Sequence, residues 1–459
     1  MAFSCFYKTH RPQAIELIVI PIEKYHKWVE QHADKSIQNI LAGQGFIPGS
    51  GKTATFFDIH GKLKQAIITI NPNDMWALGN LAKDLPHHDY ELIDPYSVLE
   101  SELPYLAFGL GCYQFLNYKT QKKTHSIKLY LPKKYAEVEK ALRAIYLVRD
   151  MINIPAQDMG PEEISHQAQK LAQTFSAEFS QIIGDELYEK GYRGIHTVGR
   201  ASVRAPRLVR LDWGKKEHPH IVLVGKGVAF DTGGLDIKQA SGMLLMHKDM
   251  GGAAQVLGLA RLIMDTPLPI RLTVFIPAVE NAISGNAYRP SDIITMYNDS
   301  TVEISNTDAE GRVILADALT EASRMKPDLI MDFATLTGAA RVAVGTEIAA
   351  FFSNNDEISQ LLEHAAQKIQ DPVWRMPLFK PYKKLLDSHV ADIKNCASAP
   401  YAGSISAALF LESFIEYNTP WLHFDLMAWN ISSMPGRPQG GEAMGIRAAY
   451  EMLKIRYGK

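Results

Sequence analysis

The chain has 459 residues, with 48 basic and 50 acidic side chains and a formal net charge of −2. That length exceeds one ordinary hydrophobic core and predicts two or three domains of roughly 150 residues each. The near balance of charge argues against a protein dedicated to binding nucleic acid or an anionic membrane surface.

The cysteine pattern and the amino terminus indicate a cytoplasmic protein. Cys5, Cys112 and Cys396 are far apart in the sequence and form no C-x-x-C pair, which argues against a disulfide framework and favours a reducing compartment. The opening MAFSCFYKTHRPQ lacks the charged segment and apolar core of a secretory signal. No apolar run reaches the roughly 18 residues of a membrane span, so we expect no membrane partner.

Strand-like and helix-like patterns alternate along the chain and predict an α/β fold. We expect a smaller amino-terminal α/β domain in residues 1–125 and a larger catalytic domain in residues 146–459. Residues 126–145 are interpreted as a linker and the start of a connecting helix, after a basic, polar stretch from Asn117 to Lys128.

Within the first domain, the patterns predict a strand in AIELIVIPI, a helix around KYHKWVEQHA and a hairpin in ATFFDIHGKLKQAIITI that turns at His60 and Gly61. PGSGKT, which begins at Pro48, resembles a phosphate-binding loop. Phe46 stands where that motif requires glycine, and a strand-like run follows where a helix should. We therefore interpret PGSGKT as a turn.

In the second domain, NTDAEGRV places Asp308, Glu310 and Arg312 at alternate positions between a strand-like run and an amphipathic helix pattern. Residues two apart in extended chain point the same way, so the two acids can converge if they precede the helix. Two carboxylates that close repel unless a cation lies between them. Taken alone, the stretch has another explanation, in which Asp308 caps the helix, Glu310 lies in its first turn and Arg312 is a solvated neighbour.

Further charged residues lie at predicted strand ends and helix starts. In IVLVGKGVAFDTGGLDIK, Lys226 ends an apolar strand, Asp231 precedes a Gly-Gly turn and Lys238 follows it, and Asp249 precedes a Gly/Ala-rich helix. Asp231 as a turn residue and Asp249 as a helix cap remain open alternatives. A buried lysine, however, is costly unless it is paired or deprotonated. Such positions are also where α/β sheets gather their active sites.

Four carboxylates with few histidines and no thiolates are typical of a site for a hard or borderline divalent ion such as Mn²⁺, Zn²⁺, Mg²⁺ or Co²⁺. They are more than one ion normally needs and suit a two-metal site that activates water. The spacing by itself predicts metal-assisted hydrolysis and no particular substrate.

The combination of NTDAEGR, VGKGVAFDTGG with the lysine that follows it, DMGGAA and DFATLTGAARVAVG resembles the leucyl (cytosol) aminopeptidase family of dinuclear metallo-exopeptidases. The similarity extends through RDMINIPAQDMGPEE, VGRASVRAPRLVRLDW and ADIKNC, over most of residues 145–459. It implies a smaller amino-terminal α/β domain, a catalytic domain with a mixed β-sheet sandwiched between helices, and a homohexamer.

The resemblance also implies two metal-binding sets. The first ion, expected to be Mn²⁺ or Zn²⁺ with Mg²⁺ or Co²⁺ as further candidates, would bind Asp231, Asp308 and Glu310. The second would bind Lys226, Asp231, Asp249 and Glu310, with Lys226 as a neutral amine. Asp231 and Glu310 would then bridge the ions, which would neutralise the crowded acids.

By the same resemblance, the free amino group of a peptide would bind near Asp249 and a metal-activated water would attack the first carbonyl. Lys238, kept charged, would polarise that carbonyl, and Arg312 would hold a bicarbonate that shuttles the proton. The substrate side chain would lie in a pocket lined by Met246, Thr335 and Gly338.

Three departures from the family pattern put the preference for leucine in doubt: Thr232, Gln239 and the segment 423–448. A dipeptidase or cysteinylglycinase specificity on the same site remains an alternative. A DNA-binding architectural or regulatory role is a hypothesis of another class. The first 120 residues carry 10 basic and 12 acidic side chains without a basic stripe, which argues against it.

Overall fold

A computed structural model describes residues 5–120 and 127–458. The chain forms two compact units, one of Met1–Arg143 with Ser432–Gln439 and one of Ala144–Ile431 with Gly440–Lys459. The first division therefore falls inside a helix rather than in a polar linker, and a short segment near the carboxyl terminus belongs to the first unit.

The first unit contains a six-stranded sheet in the order β1-β6-β5-β2-β4-β3, in which only the edge pair β3–β4 is antiparallel. Its strands are β1 (Phe6–Tyr7), β2 (Ile15–Pro21), β3 (Lys52–Phe57), β4 (Leu63–Ile70), β5 (Asp89–Ile93) and β6 (Lys128–Tyr130). Its helices are α1 (Tyr25–His32), α2 (Lys35–Gly43), α3 (Leu81–Asp84) and α4 (Leu103–Gly111).

Most of the expected elements of this unit are confirmed. The predicted hairpin is the β3–β4 pair, with Gly61 at φ +75°, and Lys52 of the PGSGKT turn begins β3. The linker interpretation is wrong for Lys128–Tyr130, because these residues pair as β6 with β1 and β5. Residues 121–126 of that predicted linker lie outside the described residues.

The division between the two units falls within α5 (Val138–Asn153), and the second unit begins there. Its further helices are α6 (Pro161–Phe175), α7 (Glu186–Glu189), α8 (Arg193–Gly199), α9 (Ala240–Met243), α10 (Gly251–Met264), α11 (Glu310–Arg324), α12 (Gly338–Val344), α13 (Asp356–Ile369), α14 (Gly403–Glu412) and α15 (Ile446–Tyr457). Its strands are β7 (Glu178–Ile183), β8 (Arg207–Trp213), β9 (His220–Gly225), β10 (Gly227–Asp231), β11 (Arg271–Asn281), β12 (Ile293–Thr295), β13 (Thr301–Glu303), β14 (Leu329–Ala334), β15 (Ala349–Ser353), β16 (Val373–Arg375), β17 (Ile393–Lys394), β18 (Trp421–Asp425), β19 (Trp429–Asn430) and β20 (Gly440–Gly441).

The main sheet of this unit is mixed, as predicted. It runs β16-β15-β18-β14-β9-β11-β8-β7, with β10 paired to β11. The central strands β14, β9 and β11 are parallel, and every residue of β9 and β14 is buried. Fully apolar strands such as IVLVG are typical of parallel sheets covered on both faces, and helices α10 and α11 both contact β9.

The described residues also bear on two expectations about environment. Within residues 5–120 and 127–458, no helix has both the length and the apolar character needed to cross a bilayer. Cys5, Cys112 and Cys396 are free thiols.

Candidate active site

The residues of the predicted site gather at one edge of the main sheet of the second unit. Lys226 directly follows β9, Thr335 directly follows β14, and Asp231 is the last residue of β10. Because β9 and β14 are parallel neighbours, their carboxyl ends meet at the same edge. Asp249 lies in the 3₁₀ turn Met246–Met250 that leads into α10.

The NTDAEGR stretch forms the predicted strand-to-helix turn, with one correction. Glu310 does not precede the helix but begins α11, because the non-helical Ala309 (φ −113°, ψ 38°) immediately before it caps the helix. Asp308 lies outside the helix, so the two acids still converge. Asp231, Asp308 and Glu310 each offer a carboxylate oxygen, and these atoms lie within 4.8 Å of one another.

Lys226 is buried among the acids. Its Nζ lies 2.7 Å from Asp249 Oδ2 and 2.9 Å from Glu310 Oε1, and it donates a hydrogen bond of 3.2 Å to the Thr335 carbonyl. Burial lowers the pKa of Lys226, but the surrounding carboxylates outweigh it, so the pKa is raised above its ordinary value. With no metal ion beside it, this lysine is therefore an ammonium rather than the neutral amine expected of a ligand.

Gly311 leaves the space that Lys226 occupies. A Cβ atom at position 311 would lie 2.5 Å from Lys226 Cε and 2.7 Å from its Nζ. The glycine of NTDAEGR is therefore required by close packing against the lysine rather than by an unusual backbone angle.

Lys238 pairs with the other two acids. Its Nζ lies 2.8 Å from Asp231 Oδ2 and also contacts Asp308 Oδ1. Burial lowers the pKa of Lys238, and the carboxylates, Asp231 above all, raise it by more, so this amine is held as a cation. Unlike Lys226, it remains partly exposed, with 16% of its side chain accessible to solvent.

The acid cluster fits divalent ions. Three buried carboxylate oxygens, Asp249 Oδ2, Asp308 Oδ1 and Glu310 Oε1, have as partners among the described residues only the amines of Lys226 and Lys238. Burial raises the pKa of Glu310 to about 8, and burial with the neighbouring Asp231 raises the pKa of Asp308 to about 6. Crowded carboxylate oxygens that are held only by ammonium groups are suitable ligands for hard cations.

A layer of polar residues holds this cluster in place. Asp231 Oδ1 accepts hydrogen bonds of 2.8 Å from both Gly233 N and Asn281 Nδ2. Thr232, a departure from the family pattern, donates to the Asn281 carbonyl at 2.8 Å and accepts from Gly234 N at 3.1 Å. The threonine hydroxyl therefore fixes the Gly-Gly turn that follows Asp231.

The remaining predicted site residues line the same cavity, which has a volume of about 370 Å³. The Arg312 side chain is buried and donates to the Asn395 carbonyl at 2.9 Å, while its Nε has no partner among the described residues. Thr335 Oγ1 donates to Asp249 Oδ1 at 2.7 Å. The other two residues of the predicted side-chain pocket, Met246 and Gly338, also line the cavity.

Two basic residues of this cavity were missed by the sequence analysis. Lys248 is buried, and its Nζ has no hydrogen-bond partner among the described residues. Burial lowers the pKa of Lys248 to about 7. Arg341, on α12, is half-buried and also lines the cavity. The available signals were a lysine directly before Asp249 and an arginine one turn after LTG.

Comparison with known proteins gives the family of the chain. Residues 146–450 match the model of the cytosol aminopeptidase family, catalytic domain, and residues 15–132 match the M17 aminopeptidase N-terminal domain. The chain belongs to the cytosol aminopeptidase family. The family resemblance drawn from NTDAEGR and its companion motifs is thereby confirmed.

Individual members of the cytosol aminopeptidase family align over much of the chain. A probable cytosol aminopeptidase of Roseiflexus castenholzii is 38% identical over 364 residues, which cover 75% of this chain and 74% of that one. A probable cytosol aminopeptidase of Syntrophotalea carbinolica is 40% identical over 326 residues, covering 70% and 65%.

Solved structures give the same result. The cytosol aminopeptidase of Coxiella burnetii superposes with a TM-score of 0.95 at 44% identity, covering 99% of both chains. The bottromycin maturation enzyme BotP, solved in complex with Mn, superposes with a TM-score of 0.85 at 29% identity, covering 96% of this chain and 99% of that one. Membership of this family makes the protein a peptidase hydrolase with metal-dependent aminopeptidase activity.

Proposed function

We propose that the protein releases the amino-terminal residue of peptides at a site that binds two divalent ions, Mn²⁺ or Zn²⁺. The observation that carries the proposal is the set of three buried carboxylate oxygens whose partners among the described residues are only the amines of Lys226 and Lys238. Buried acids this crowded require neighbouring cations, which Lys226 and Lys238 supply in this structure and which divalent ions would supply when bound.

The ligand sets follow from which residues meet. Asp231, Asp308 and Glu310 would hold one ion, since their oxygens cluster within 4.8 Å. Lys226 and Asp249, with Asp231 and Glu310, would hold the second, because Lys226 already joins Asp249 to Glu310. When bound, the ions supply Lewis-acid activation of water and of the peptide carbonyl.

The chain's own residues orient the substrate. Asp249, held by Thr335, presents a carboxylate for the free amino group of the peptide, which limits cleavage to the first residue. Lys238 is a partly exposed cation beside Asp231 and Asp308, where it can stabilise the oxyanion that forms at the first carbonyl.

Arg312 provides the position for a small oxyanion. Its Nε is buried without a partner while Nη1 is fixed by the Asn395 carbonyl. A guanidinium with a free edge suits a planar anion, and we propose bicarbonate there as the group that transfers the proton. Exclusion of bicarbonate should then slow the wild-type enzyme, whereas the Arg312→Ala variant should be slow with or without it.

Metal counting tests the two-ion proposal. After removal of metal and dialysis against Mn²⁺ or Zn²⁺, elemental analysis should find two ions per chain. The Asp249→Asn variant should retain one, since Asp249 belongs only to the second set. Asp292→Asn, which changes a partly exposed acid paired with Arg289, is the matched control and should retain two. A wild-type enzyme active with a single ion would contradict the proposal.

A further inference from the structure

The cavity is lined by two basic side chains that the ligand sets and the proposed catalytic roles leave unused. Lys248 and Arg341 both line the cavity together with Met246, Thr335 and Gly338. The Arg341 guanidinium reaches the glycine, because a Cβ atom at position 338 would lie 3.7 Å from Arg341 Nη2.

Neither cation has an acidic partner. In the described parts of the chain, the Arg341 side chain forms no ion pair or hydrogen bond within contact distance, and Lys248 Nζ forms none either. The nearby acids are already committed. Asp249 binds Lys226 and Thr335, and Asp425 accepts hydrogen bonds from Leu336 N, Thr337 N and the Thr337 hydroxyl.

The unpaired donors of Lys248 and Arg341 in this cavity favour the binding of an anion from outside the chain. A buried amine without a partner is costly, and buried polar groups of folded proteins nearly always find one. The planar fork of an arginine binds a carboxylate with two parallel hydrogen bonds. An aliphatic side chain in this pocket would instead leave both donors unsatisfied.

We infer that this pocket selects peptides whose amino-terminal residue is acidic, with Arg341 binding the side-chain carboxylate and Lys248 lying behind it as a second donor. The inference rests on the proposed aminopeptidase function and names its substrate class. A site built around donors for a substrate group discriminates strongly against an analogue that lacks the group. Gln239, which replaces the usual proline of the family, adds a further polar side chain to the same cavity.

The first test compares substrates on the metal-loaded full-length enzyme. Initial rates would be measured on Glu, Asp, Gln, Leu and Lys p-nitroanilides with free amino groups. We expect kcat/KM for Glu to exceed that for Gln, its neutral isostere, by about tenfold to a hundredfold, the range of a hydrogen bond to a charged group. Calorimetry should likewise find tighter binding of free glutamate than of glutamine.

Variants at position 341 separate charge recognition from structure. Arg341→Gln should lower the Glu to Gln ratio about tenfold, Arg341→Lys should retain part of it, and Arg341→Glu should reverse the preference towards Lys. Lys248→Met should lower the same ratio. Arg324→Gln is the matched control, because Arg324 lies far along α11 and pairs with Glu416, and it should leave the ratio as in the wild type.

The outcomes distinguish the inference from the function beneath it. Turnover that is fastest on Leu with equal rates on Glu and Gln would overturn the acidic preference and leave the aminopeptidase function standing. The same conclusion would follow if Arg341→Glu kept the wild-type order of substrates. Absence of turnover on all five amides by enzyme with its full metal content would overturn both.

Discussion

The Lys226 side chain packs against Gly311, so that a methyl group at position 311 would be 2.7 Å from Nζ. The Gly311→Ala variant should therefore displace the lysine from Asp249 and Glu310. Because the obstructing atoms are the far end of a flexible side chain, we expect the fold to persist with a loss of about 1–3 kcal/mol. Elemental analysis should find the second ion depleted.

Two other glycines provide controls for that substitution. A Cβ at Gly285 meets nothing within 4 Å, so Gly285→Ala should keep its metal and stability. A Cβ at Gly252 would lie 2.0 Å from the Phe333 carbonyl oxygen, so Gly252→Ala should destabilise the fold itself, measured by denaturant unfolding. Full metal content in Gly311→Ala would refute the packing argument.

The two lysines of the site should respond differently to removal. Lys226→Ala removes a proposed ligand, so the second ion should bind more weakly and excess metal should partly restore activity. Lys238→Ala removes a cation that acts on the oxyanion, so both ions should stay bound while kcat falls roughly 10² to 10³-fold at any metal concentration. Metal content measured beside kcat across a metal titration separates them. Identical responses of the two variants would mean that these roles are assigned wrongly.

Metal binding should strengthen as pH rises from 6 to 8. The pKa of Asp308 is raised to about 6 and that of Glu310 to about 8, so below these values protons compete with the ion for the same oxygens. The competition from these two acids disappears as pH rises through each pKa, and the dissociation constant should fall across that range. Calorimetry in buffers of different ionisation enthalpy would count the protons released.

The same titration tests whether Lys226 is a ligand. Its pKa is raised above the ordinary lysine value, so ligation by a neutral amine must release a proton even above pH 8. The Lys226→Met variant should release none in that range. Equal proton release by wild type and variant at pH 9 would show that Lys226 stays an ammonium in the metal-bound enzyme.

Local pattern indicated that Asp231, Asp308 and Glu310 gather at one edge of the sheet, while their assignment as metal ligands came from the family resemblance. Each lies where a strand ends or a helix begins, and parallel strands bring such points to one edge. The placement of Ser432–Gln439 in the first unit could not be foreseen, because it depends on contacts distant in sequence. There the Gly436 amide donates to the Gly79 carbonyl at 3.1 Å, and a Cβ at Gly79 would lie 2.4 Å from Gly436 N.

Lys248 and Arg341 of the side-chain pocket could not be predicted from the sequence for a related reason. Arg341 lies in a short helix that resembles ordinary surface, and only the fold brings it beside Gly338 and Lys248. The homohexamer, the bicarbonate and the cytoplasmic location stay predictions.

The central claim is metal-dependent cleavage restricted to peptides with a free amino terminus. The most direct test compares a peptide beginning with Glu and its amino-terminally acetylated form, using enzyme stripped by a chelator and then reloaded with Mn²⁺ or Zn²⁺. We predict that the stripped enzyme cleaves neither peptide. After reloading with metal, it should cleave only the peptide with the free amino terminus. Cleavage of the acetylated peptide, or full activity in the stripped enzyme, would contradict this account.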